Sequence, residues 1–307
     1  MLLALLALGS GIWLVSRISG PELVSPPGKI ETKPVVPLSP VVRRIVVDGP
    51  STPYLKLNYV IKELSVRLVQ PDIDALLQFI TQPKPGAFSE GEWGSLTNDI
   101  QEALTVQNVP NEKVAGVLIA TYRDPSRSQL MRDYALQHIG GFAIHLVHTR
   151  KSANHPPPEF FDSLVSELIA AASDSSKPWC GTSLNLLDGL LRAAEYARIE
   201  VRGVSAERLC ALALPVVKDE NAPLNARLPA LQLLSRHRSP QSVEMARGIL
   251  SEGDSKLMLV QSACAVIGQT GDLSDLPLLQ KIRETGGIHK SPAAIAAMAK
   301  LRQRFSN

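Results

Sequence analysis

Aromatic residues are scarce in this chain: Phe, Trp and Tyr together make up 5% of its 307 residues. Sheets lean on aromatic and β-branched side chains, so the scarcity argues against a β-sandwich, whereas the recurrent Leu and Ala are strong helix formers. A dominant charge is missing too. The 32 basic and 29 acidic residues leave a net charge of +3 with the signs interspersed, which excludes the concentrated basic face of a nucleic-acid binder. Only three cysteines occur, Cys180, Cys210 and Cys264; they form no C-x-x-C or Cys/His zinc pattern and read as small core hydrophobes. One disulfide would still leave a thiol over. Glycine-rich phosphate loops, G-x-S-x-G elbows and H-E-x-x-H pairs are also absent, so neither catalysis nor a cofactor is expected.

What the chain does have is enough apolar residues, 45% against 20% charged, to bury a core. They are distributed in three regions. No charge interrupts the start until Arg17, and Trp13 and Arg17 sit where interfacial anchors belong. This apolar run is shorter than the roughly 20 residues of an average spanning helix and longer than most signal-peptide cores. With no basic residue before it and no small-x-small site after it, residues 1–18 read as a single-pass membrane anchor. A cleaved signal and a buried helix stand as the alternatives. Arg17, Lys29, Lys33, Arg43 and Arg44 follow the run and would hold the body in the cytoplasm, whereas a short apolar start followed by a long spacer favours export. The expected side is extracytoplasmic.

Residues 19–53 contain eight prolines, at 21, 26, 27, 34, 37, 40, 50 and 53, and read as an extended linker, with Val35–Val36 and Arg44–Val47 as short-strand alternatives. From Tyr54 onward the apolar residues take a helical period. Met131, Ala135, Ile139, Phe142 and Leu146 make one stripe, and Leu184, Leu187, Leu191 and Ala194 make another. The joints, such as Asp124-Pro125-Ser126, are rich in capping and turn residues. Residues 54–307 are therefore expected to be all-α.

Three segments in this region align: Arg132–Gly140, Arg227–Ser235 and Val260–Gly268. Each has Ala at its fourth position (Ala135, Ala230, Ala263), Ile or Leu at the eighth, and Gly or Ser at the ninth (Gly140, Ser235, Gly268). A small fourth residue lets a neighbouring helix approach, and a small ninth suits a helix end. The last two copies start 33 residues apart; the first two start 95 apart, close to three such periods. A second amphipathic segment follows the later copies, Val243–Leu250 and Leu276–Ile282, so the expected unit is a motif helix, a turn and a second helix.

With Arg132, Ala135 and Gly140 in place, and Arg227 with Ala230, the chain resembles the HEAT-like repeats of bacterial proteins, whose helix reads R-x-x-A-x-x-x-L-G. The resemblance covers residues 54–305 loosely and fades between Ser152 and Glu207. It implies an α-α superhelix, a solenoid of short helix pairs with a concave protein-binding face, and it implies no chemistry.

Three candidate sites remain. His138, His145 and His148 would share one side of an unbroken helix, a weak metal patch, unless Gly140-Gly141 ends the helix between them. Cys180 precedes a helix whose N-terminus would lower its thiol pKa, with His155 the only base nearby in sequence; a packed Trp179-Cys180 turn is the plainer reading. Arg192, Arg198, Arg202 and Arg208 make either a basic ridge or, with Glu195, Glu200 and Glu207 interleaved, an internally paired solvated face. The expected function is binding of protein partners by a membrane-tethered scaffold. A metal or thiol enzyme on a helical-repeat fold, or a structural envelope subunit, is the alternative.

Overall fold

Helix starts follow from short polar side chains placed ahead of each apolar period. Ser39, Ser89, Asn111, Ser128 and Ser205 each accept a hydrogen bond from an amide two or three residues on, and Glu92 returns the bond to Ser89 in a capping box. The computed structural model describes residues 37–149, 159–252 and 256–306. Contacts divide the chain between Pro37 and Leu38, and the structure below is that of the second unit. The anchor expected at residues 1–18 and most of the linker lie outside the described residues.

Among the described residues the only regular structure is helical, with two short 3-10 turns. The fourteen α-helices form seven consecutive pairs. These are α1 (Pro40–Val46) with α2 (Tyr54–Ile61), α3 (Gln70–Thr81) with α4 (Glu90–Thr105), and α5 (Glu112–Arg123) with α6 (Gln129–His148). Then come α7 (Phe161–Ala172) with α8 (Cys180–Ala197), and α9 (Ala206–Lys218) with α10 (Leu224–Arg236). The last are α11 (Pro240–Ser251) with α12 (Leu257–Thr270), and α13 (Leu276–Thr285) with α14 (Gly287–Phe305). The even-numbered helices also pack on one another in succession, α2 on α4 and so on to α14. The core runs between the two sets of helices and is mainly aliphatic, with buried aromatics such as Trp93, Phe142 and Phe161 set into it.

Two expectations about boundaries change. Helix begins at Pro40, inside the stretch read as linker, and Val42 and Ile45 are fully buried. Three of the prolines are compatible with this: Pro40 takes a first-turn position, where its missing N–H costs nothing, Pro50 opens a 3-10 turn, and Pro53 precedes α2. The folded body thus starts at Leu38 and not at Tyr54, and Arg44–Val47 is helix and its cap rather than strand.

The repeat is also differently spaced. The three motif segments lie in α6, α10 and α12, and the single even helix between α6 and α10 is α8. Its segment 180–188 reads CGTSLNLLD against RLPALQLLS in α10, starting 48 residues after Arg132 (180 − 132) and 47 before Arg227 (227 − 180). Two longer intervals, not three of 33, therefore separate the first copies. Ser183 takes the place of the alanine and is as fully buried as Ala135, Ala230 and Ala263. The motif helix is moreover the second member of its pair, packing more extensively on the odd helix before it than on the odd helix after it.

Candidate functional site

The motif residues build the joint between the helices of a pair. The last carbonyls of a helix lack partners within it. Arg132 Nε–H donates to the Tyr122 carbonyl at 2.8 Å, and Arg227 Nε–H to the Val217 carbonyl at 3.2 Å, each ten residues back at the end of the preceding helix. In α8 Cys180 occupies the arginine's place, and its thiol donates to the Ala172 carbonyl at 3.3 Å. One position thus performs one task in three successive pairs. The Arg132 guanidinium also lies 4.5 Å over the Trp179 ring, which meets Tyr122 edge-on at 5.6 Å.

The small residues set how closely neighbouring even helices approach. A Cβ on Gly140 would meet the Leu186 side chain of α8 at 2.6 Å, and one on Gly268 would lie 2.9 Å from Ala297 Cα in α14. The surface left between them is mixed, with Leu130, Pro178, Ala265 and Val266 among its polar groups. Gln137, Asn185 and Gln232, all at the sixth motif position, are exposed on α6, α8 and α10. An open groove of about 330 Å³ between α10 and α12 is lined by Gln232, Ser235, Arg236, Ser262 and Gln269. Another of the same size, lined by Asp133, Trp179, Thr182 and Asn225, runs across the starts of α6, α8 and α10.

A charged cluster that the sequence did not announce stands beside this face. Asp188, at the ninth motif position of α8, is fully buried and receives Arg236 Nη1, His237 Nε2 at 2.7 Å and Arg192 Nε at 3.4 Å. A buried carboxylate is costly unless paired, and these partners tie the end of α10 to α8. Arg123–Glu167 joins α5 to α7 in the same manner, and Arg247–Asp275 joins α11 to the turn before α13. Apart from Arg192, four residues from Asp188 on the same helix, the partners are 28 to 49 residues apart, so no local motif betrays them.

The histidines are not brought together. α6 continues unbroken through Gly140-Gly141, because Gly140 is enclosed by α8 rather than placed at a helix end. His138 Nε2 meets Asn98 Oδ1 at 3.0 Å, His145 Nε2 meets the Gln107 carbonyl at 3.3 Å, and His148 is exposed. Burial pushes the His138 pKa down to about 4. Among the described residues no group of three or more His, Cys, Asp or Glu is placed to hold a metal.

Cys180 agrees with its plainer reading, since it and Trp179 are both buried. Burial, which disfavours the thiolate, and the negative charge of Asp174 push the Cys180 pKa up to about 11. His155 lies outside the described residues. The ridge Arg192, Arg198, Arg202 and Arg208 is exposed, and among the described residues no ion pair joins it to Glu195, Glu200 or Glu207. Arg192 turns to Asp188 instead, because a buried carboxylate attracts it more strongly than a solvated one.

No helix of the described residues is long and apolar enough to cross a membrane. No protein-family model, curated protein sequence or solved structure matches the chain.

Proposed function

We propose that the protein is a membrane-tethered scaffold: an α-solenoid of HEAT-like helix pairs that binds other proteins along its even-helix face, without catalysis. The observation that carries the reading is the recurrence of one residue position, Arg132, Cys180 and Arg227, in one hydrogen-bonding role on successive even helices. Equivalent joints within successive pairs give the units a like geometry, so that they can stack into the extended surface of a repeat array. The grooves on that surface are open and of mixed polar and apolar lining, suited to a protein's side chains rather than to an enclosed small molecule. The burial of Cys180 and the separate partners of His138 and His145 support this reading over the thiol or metal enzyme alternative.

Residues 1–18 supply the tether in this reading, with the body on the extracytoplasmic side. Membrane fractionation of the full chain and of the chain lacking residues 1–18 tests it, followed by capture of partners from solubilised membranes. The full chain should sediment with membranes and the truncated chain should not, while both retain the same partners. A full-length chain that stays soluble with its leader uncleaved, or partners that follow residues 1–18 instead of the body, would refute the proposal.

A further inference from the structure

α2 buries Leu57, Val60 and Ile61 in the core, and its period places Leu55, Tyr59 and Lys62 at i, i+4 and i+7 on another side. Leu55 and Tyr59 are each 70% exposed. Val47, which caps α1, is 58% exposed, and Arg43 precedes it by one turn on the same helix. The Lys62 ammonium lies 5.8 Å from the Tyr59 ring centroid, and Lys56 is exposed beside it. Large aliphatic and aromatic groups left in water at this density mark a contact surface.

The charge says what kind of contact. Residues 37–69 hold five basic and two acidic side chains, a net +3 (5 − 2), whereas residues 70–307 hold 24 basic and 25 acidic, a net −1 (24 − 25). The excess lies in the first helix pair and its caps, residues 39–62, with four basic side chains and one acidic, where Val47, Leu55 and Tyr59 are exposed. Arg44 is taken up by Glu63, and Asp48 lines the groove beside Lys56 and Tyr59. Basic side chains around shallow apolar and tyrosine anchors fit the headgroup region of an anionic bilayer, where the amine meets phosphate and the ring reaches the acyl boundary.

We infer that the first helix pair of the folded body is itself a membrane-contact surface, recognising anionic lipid headgroups through Arg43, Lys56 and Lys62 and inserting Val47, Leu55 and Tyr59. This deepens the tethered reading: residues 1–18 hold the chain at the bilayer, and α1 and α2 dock the body onto it. The surface depends on lipid charge, whereas an apolar anchor does not.

The test uses the full chain with Cys210→Ser and an environment-sensitive fluorophore on Tyr59→Cys, since Cys180 and Cys264 are buried. It is added to vesicles of phosphatidylcholine alone, or of equal parts phosphatidylcholine and phosphatidylserine. Flotation with the neutral vesicles reads the anchor; emission from position 59 reads this surface, so either can fail alone. The emission should shift to the blue only on the anionic vesicles. Adding Lys56→Glu and Lys62→Glu should raise the phosphatidylserine needed for half the shift by roughly tenfold or more. Equal emission on both vesicles would overturn the inference. So would a blue-shifted emission before lipid is added, which would mean that a second copy or another part of the chain already covers the patch.

Discussion

Replacing Gly181 by alanine isolates the claim that small residues set the spacing of the even helices. A Cβ at Gly181 would overlap the Asn225 carbonyl oxygen and lie 2.9 Å from that carbonyl carbon and 3.0 Å from Ala226 Cα. All three are backbone atoms at the start of α10, so no rotamer change relieves the overlap; α10 must move away from α8. Overpacking of this kind costs about 1–3 kcal/mol, and the helix-propensity gain of alanine over glycine returns at most about 1 kcal/mol. A net loss of about 2 kcal/mol corresponds to a fall in Tm of roughly 4–8 °C for a body of this size. Gly116, on the exposed side of α5, has no atom within 4 Å of a built Cβ. Alanine there should stabilise by about 0.5–1 kcal/mol, because only the unfolded chain loses freedom. Thermal melts followed by circular dichroism should therefore move in opposite directions for the two variants. A Gly181→Ala chain as stable as the parent, or the same change in both, would refute the packing argument.

Ala230→Trp and Ala263→Trp should each destabilise by about 1–3 kcal/mol or more, since both alanines are fully buried at the same motif position; unchanged melting would place the motif out of register. Stability should fall as pH drops from about 6.5 to about 4, because the folded His138 pKa lies near 4 and protons bind the unfolded imidazole first, a loss of a few kcal/mol. His138→Gln should flatten that part of the pH profile, and an unchanged profile would assign the loss to other groups. Cys180 and Cys264, buried and with pKa values near 11, should resist alkylation at pH 8 until the chain is denatured; fast reaction of either would contradict its burial.

Much of the helical body was legible because its signals are local. Ala135, Ala230 and Ala263 repeat at one position of an apolar period, and Ser89, Asn111 and Ser128 announce helix starts. α8 was legible as a helix from Leu184, Leu187, Leu191 and Ala194, but its place in the motif series escaped because Cys180, Ser183 and Asp188 replace the arginine, alanine and glycine that define the motif. The segment SLNLLD beside ALQLLS was the available signal, at an interval of 47 instead of the 33 that the later copies suggested. α1 escaped because prolines were read as breakers without regard to position, and Pro40 stands at a first turn. The Asp188 cluster had no signal, since Asp188 and Arg236 meet only once α8 and α10 are packed. The direction of the Cys180 pKa shift needed the same knowledge, because a helix N-terminus is visible in a sequence and the depth of burial is not.

The proposed role of the even-helix face is tested most directly by site-specific photo-crosslinking with the full chain in cells. A photoreactive residue at Gln232, exposed on α10 beside the groove to α12, is compared with one at Glu244, exposed on α11. The account predicts that a discrete protein is captured from position 232 and not from 244, and that Gln137→Arg with Asn185→Arg, on the same face, reduces the capture without unfolding the chain. Equal capture from both positions, or capture from 244 alone, would contradict it.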